Sequence, residues 1–115
     1  MEGGKMRGEY VKGVLLPTLD ALVVAVCADY ERRESLLRSE VLSLRTRAEL
    51  RYLNYIISTA TAEIAEPCYV NLFIDEIGSR TGFAHSAIEG MGEEAYKIRK
   101  MEIKRNIAKK LHFCD

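Results

Sequence analysis

The apolar positions of this 115-residue chain recur at helical spacing almost from end to end, and no stretch alternates strictly enough to read as a strand. Over residues 17–38, Leu19, Val23, Val26, Tyr30 and Leu37 share one side, Pro17 suits a first turn, and Asp20 and Glu31 to Glu34 face solvent. Residues 9–16 read as an extension of that helix or a short helix before it, broken by Gly13 and Pro17. A second helix is expected from Thr46-Arg47-Ala48-Glu49, a capping box in which each side chain reaches the other's free backbone amide. Glu66-Pro67 ends it near residue 65. Its apolar arc is Leu50, Leu53, Ile56, Ile57, Ala60 and Ile64, with Arg47, Arg51, Asn54 and Ser58 opposite. A third helix over residues 69–80 turns Val70, Phe73, Ile74 and Ile77 inward, with a strand as the lesser alternative over residues 69–74, which are rich in β-branched and aromatic side chains. A short helix is expected over residues 85–89 and a last one over 93–112, whose inner stripe is Tyr96, Ile103, Ile107 and Leu111. The pattern predicts an all-α single domain of four or five helices spanning residues 1–115.

Within that pattern, Ile77-Gly78-Ser79-Arg80-Thr81-Gly82-Phe83-Ala84-His85-Ser86-Ala87-Ile88 has the spacing of a helix-turn-helix. Gly78 supplies a small residue where two helices cross, and Gly82 a turn residue able to reach a left-handed conformation. Ile77, Phe83, Ile88 and Met91 then pack the two helices together. Arg80, Thr81, His85 and Ser86 would lie where phosphates and base edges are reached. Thr81 departs from the motif, standing where an apolar residue is usual, and Gly90 and Gly92 interrupt the second helix at about 1 kcal/mol each relative to alanine. Residues 69–111 are thus expected to form a helix-turn-helix-like region, with 9–65 as its support and dimerisation arm.

Charge changes this picture more than composition does. The formal net charge is zero, which alone argues against binding nucleic acid by bulk charge. Yet acidic residues outnumber basic ones over residues 1–92, whereas residues 96–111 hold Lys97, Arg99, Lys100, Lys104, Arg105, Lys109 and Lys110 against Glu102 alone. Such a segment can supply phosphate contacts, with Lys104 and its neighbours as candidates. The longest apolar run, residues 21–28, is far short of the roughly 20 needed to cross a bilayer, and the N-terminus lacks the pattern of a secretory signal. Cys27, Cys68 and Cys114 are odd in number and widely spaced, which fits reduced thiols and a cytoplasmic protein.

The stretch Glu94-Ala95-Tyr96-Lys97-Ile98-Arg99-Lys100-Met101-Glu102-Ile103-Lys104, followed by Asn106-Ile107-Ala108-Lys109-Lys110-Leu111, resembles the closing helix of small phage and prophage transcriptional regulators of the autolysin-regulator type. In that family a tyrosine, a lysine-rich turn and an Ile-Ala-x-x-Leu-like ending follow a sigma-like helix-turn-helix. The resemblance covers about the last 45 residues. The glycines around Met91 and the long N-terminal apolar helix depart from it. It implies a DNA-binding regulator, with Tyr96, Lys97, Arg99 and Lys100 contacting duplex DNA and the groove read by either the helix at His85 or the last one. A homodimer reading paired half-sites is the expected assembly, and RNA polymerase or another protein is a compatible partner.

Catalysis finds little support. His85 and Ser86 are adjacent and cannot approach as base and nucleophile, and His112 sits at a chain end. No C-x-x-C or H-x-x-x-H spacing marks a metal site, and no phosphate loop or cofactor motif occurs. Cys27 and Cys68 read as small core residues, Cys114 as a tail thiol. Asp75-Glu76 reads as a solvent-facing pair, and Arg32, Arg33 and Arg38 as a solvated face paired with Glu31, Glu34 and Glu40. The alternative to DNA binding is a helical interaction or assembly module, because Tyr52 and Tyr55 lie on the side of the second helix away from its apolar arc.

Overall fold

A computed structural model describes residues 10–11, 14–39 and 41–113. The fold is all-α, as the periodicity predicts: α1 Pro17–Ala28, α2 Tyr30–Leu37, α3 Leu44–Ala62, α4 Val70–Gly78 and α5 Glu93–Lys110, with single 3₁₀ turns at Pro67–Tyr69 and Phe83–His85. Ahead of α1 the chain forms a minimal antiparallel pair, β1 Tyr10–Val11 with β2 Val14–Leu15, and not the helix expected there. Tyr10 pairs with Leu15 and Val11 with Val14. The core lies between α1, α3, α4 and α5, and its fully buried side chains include Val23, Ile57, Phe73, Ile74, Ile77, Tyr96, Ile103 and Ile107. α2 packs on α3 at the side of this core.

The first predicted helix is two. α1 starts at Pro17 in its first turn, stops at Asp29 (φ −94°, ψ 4°), and α2 begins at once. The break releases the Val26 carbonyl, which accepts a hydrogen bond from the Arg33 guanidinium. Arg33 also donates through Nε to Asn54 Oδ1 at 2.6 Å, and the Asn54 amide donates to the Tyr30 carbonyl and to Glu34. Arg33 and Asn54 are therefore buried partners that lock α2 on α3, where sequence placed both on solvated faces. Burial lowers the Arg33 pKa, but the guanidinium remains charged and its acceptors are neutral or backbone groups.

α3 begins a turn before the expected capping box. Ser43 is its cap: the Ser43 hydroxyl accepts the Thr46 backbone N–H at 3.2 Å and donates to the Thr46 hydroxyl at 3.1 Å. Arg47 reaches back to the Leu37 and Ser39 carbonyls, both at 2.6 Å, satisfying groups that the end of α2 leaves free.

α4 crosses the last turn of α1 at Gly78, where an added Cβ would lie 2.6 Å from the Ala28 backbone nitrogen. The small residue predicted for a helix crossing is needed, although the crossing partner is α1. α4 then ends in a Schellman motif, with Thr81 N–H bonded to Glu76 C=O and Arg80 N–H to Ile77 C=O. The left-handed residue in it is Arg80 (φ 57°). Gly82, expected to supply that conformation, is extended at φ −90°, ψ 175°.

Candidate functional site

Beyond Gly82 no second helix of a helix-turn-helix forms. One 3₁₀ turn at Phe83–His85 gives way to extended chain, and helix resumes only at Glu93. The cause is Glu76, which is buried at 3% exposure and not the solvent-facing residue expected. Its carboxylate accepts the Ser86 hydroxyl, the Ala87 backbone N–H and the Tyr96 hydroxyl, each at 2.7 Å. Ser86 Oγ in turn accepts the Ile88 N–H at 3.0 Å, so amides that a helix would bond internally are spent on side chains. Gly90 follows at φ 82°, and the Tyr69 hydroxyl donates to the Glu89 carbonyl. Burial by itself would raise the Glu76 carboxyl, but its hydrogen-bond donors outweigh burial and hold it below the ordinary carboxylate range. Burial, reinforced by the Glu76 carboxylate, pushes the Tyr96 hydroxyl up to about 12.

Most of the residues singled out for DNA are consequently engaged in contacts within the protein. Tyr96 is 1% exposed and stacks on Phe73, with ring centroids 5.8 Å apart, so it cannot touch a duplex. Ser86 is held by Glu76. Lys100 donates to the Thr81 carbonyl and lies 5.3 Å from the Tyr96 ring centroid. Lys104 pairs with Asp20 of α1 at 2.8 Å, and Arg80 lies 3.9 Å from the same carboxylate. Arg99 donates to the Ile64 carbonyl at 3.1 Å and lies 3.8 Å from Glu102. Thr81 shares a hydrogen bond with Ser79. Lys97 is exposed and paired with Glu93 at 2.9 Å, while His85 is exposed on the 3₁₀ turn. Lys110 pairs with Glu63, and Asn106 bonds both Glu63 and the Ala60 carbonyl. Much of the basic segment thus ties α5 to α1 and to the end of α3. Sequence gave no sign of this, since Lys104 and Asp20 meet only through the fold.

Among the cysteines, Cys27 is buried as expected, and burial pushes its thiol up to about 12, which makes it a poor nucleophile at neutral pH. Cys68 is exposed, contrary to the core role read for it, and Cys114 and Glu40 lie outside the described residues. Among the described residues no group of three or more His, Cys, Asp or Glu could hold a metal ion, and no helix is long and apolar enough to cross a membrane. A pocket of about 210 Å³ beside the α1–α4 crossing, lined by Cys27, Tyr30, Asp75 and Ser79 among others, brings together no acid–base pair or activated nucleophile.

The outward face of α3 has no partner among the described residues. Leu44 (85% exposed), Ala48, Tyr52 (66%) and Tyr55 (64%) fall within about 80° of one another around the helix axis. They lie opposite Leu53, Ile57 and Ala60, which face the core. No residue between Leu44 and Leu53 is buried, so the first half of α3 projects beyond the core with α2 along one side. Val41, 86% exposed, lies just ahead of the helix. The Tyr52 and Tyr55 hydroxyls have no hydrogen-bond partner among the described residues, and the Ser58 and Thr59 hydroxyls bond back to the Tyr55 carbonyl. An aromatic and aliphatic stripe of this kind can bury against a second surface while leaving the phenol tips wet.

No protein-family model matches the chain, and no curated protein or solved structure matches it.

Proposed function

We propose that the protein is a non-enzymatic helical interaction module that associates with a macromolecular partner through the outward face of α3. The observation that carries this reading is the continuous exposed stripe of Leu44, Ala48, Tyr52 and Tyr55 on a helix whose opposite face is core. Burying a Leu or a comparable apolar side chain contributes about 1.5–3 kcal/mol, so three large residues on one stripe supply a substantial part of the driving force for an association. Intracellular residence with reduced thiols accords with this reading.

A second reading, a DNA-binding transcriptional regulator of phage or prophage type, is favoured by one observation. α5 keeps Lys97, paired with Glu93, and Lys109 exposed. In that reading α5 reads the groove, since residues 86–92 form no helix. Lys97 and Lys109 would contact phosphates, and a homodimer would present paired half-sites.

Two measurements separate the readings. The first is selection of a displayed library of helical peptides on the purified protein, with a Tyr52→Ala, Tyr55→Ala variant for counter-selection. The second is anisotropy with a random duplex pool at low and moderate salt, alongside a Lys97→Ala, Arg99→Ala, Lys100→Ala variant. The interaction reading predicts peptides retained by the native protein alone, and no salt-sensitive duplex binding. Salt-sensitive duplex binding lost in the triple variant, with no discriminating peptide, would replace it with the DNA reading.

A further inference from the structure

We infer that the partner of the α3 face is an acidic amphipathic helix of another protein, an assignment that rests on the interaction reading above. The stripe is not charge-neutral in its surroundings. α3 carries Arg45, Arg47 and Arg51 against Glu49 alone before residue 62. Glu49 is already engaged by Arg45 at 3.6 Å. Arg47 is spent on two backbone carbonyls and meets no carboxylate there. Arg51, next to Ala48 and Tyr55 at one edge of the stripe, is exposed and has no ion-pair partner among the described residues. An apolar seam bordered by the Arg47 and Arg51 guanidinium groups, which no described carboxylate offsets, is complementary to a helix with apolar residues on one stripe and carboxylates beside it. Leu44 to Tyr55 spans about 16 Å, enough to seat roughly one and a half heptads of such a helix.

A second copy of this chain fits less well. Laid antiparallel, two α3 helices turn like edges toward like, which brings the Arg47 and Arg51 edges of both copies together. Laid parallel, that edge meets the Arg45–Glu49 edge, where the one carboxylate is taken. Either arrangement leaves Arg51 uncompensated, whereas flanking glutamates on a foreign helix supply the missing charge.

The test uses the full chain and two labelled three-heptad peptides with leucine at a and d, one with glutamate and one with lysine at e and g. Anisotropy should show saturable binding of the glutamate peptide and clearly weaker binding of the lysine peptide. Tyr52→Ala with Tyr55→Ala should weaken the glutamate peptide about tenfold or more, and Arg45→Glu with Arg51→Glu should reverse the preference. All four positions are exposed, and circular dichroism checks that each variant is folded. Equal affinity for both peptides, or no binding of the glutamate peptide, overturns the acidic partner. A homodimer in sedimentation equilibrium that Tyr52→Ala dissociates overturns it too, yet leaves the interaction reading standing. A monomer that binds neither peptide but binds duplex DNA in a salt-sensitive way removes both.

Discussion

Glu76 decides the course of fourteen residues. It stands next to Asp75 on a short helix, and nothing in its spacing marks it as buried, because the groups that bury it come from Ser86, Ala87 and Tyr96 across a loop. Replacing its carboxylate by Glu76→Gln leaves amide hydrogens facing hydroxyl and N–H donors and should cost about 1.5–3 kcal/mol in urea unfolding. Titration gives an independent check with two signs. The folded Glu76 carboxyl lies below its ordinary value of 4.5, so its contribution is whole above that pH and is lost as pH falls through the lower folded value. Tyr96 is raised from 10 to about 12 and Cys27 from 9 to about 12, so their contributions are whole below pH 9 and are lost as pH rises toward 12. Thermal midpoints across the acid range should fall less steeply in Glu76→Gln, and the loss between pH 10 and 12 should shrink in Tyr96→Phe. Identical pH profiles for the native protein and both variants would contradict this account of the cluster.

At the scale of elements, helical periodicity made most of the fold legible, and the departures have local causes. α3, α4 and α5 carry the expected inward residues Ile57, Phe73, Ile74, Ile77, Ile103 and Ile107, because a 3.6-residue period is a property of the sequence itself. The division between α1 and α2 was hidden because Arg33 and Asn54, polar by type, are buried as each other's partners. The helix-turn-helix spacing was misleading because it depended on which residue turns left-handed: Arg80 does so in place of Gly82, and the loop after it belongs to Glu76. Gly78, by contrast, matters for the reason a helix crossing supplies. Gly78→Ala drives a methyl into the Ala28 backbone, which cannot yield as a side chain would, and should cost roughly 3 kcal/mol by parting α1 from α4. A stability equal to the native protein's in denaturant would show that the two helices do not meet as closely as described.

Across the whole molecule, the basic C-terminal segment is largely engaged within the fold, and the α3 face has no covering element among the described residues. Lys100, Lys104 and Lys110 hold α5 to the rest of the protein, whereas the Tyr52 and Tyr55 hydroxyls bond nothing among the described residues. The tyrosines' position away from the apolar arc was readable from helical spacing, but the lack of any covering element could be known only from the assembled fold. Tyr52→Ala with Tyr55→Ala should therefore leave the unfolding free energy within about 0.5 kcal/mol of the native value, as for surface positions generally, while removing association. The most direct test of the central claim is an amide NMR titration of the native protein with the glutamate peptide and, separately, with a random duplex. The account predicts shifts from the peptide concentrated on α3 between Leu44 and Thr59, and none from the duplex beyond nonspecific change. Shifts induced by the duplex on the outward side of α5, around Ile98 and Lys109, with α3 unmoved by the peptide, would contradict it.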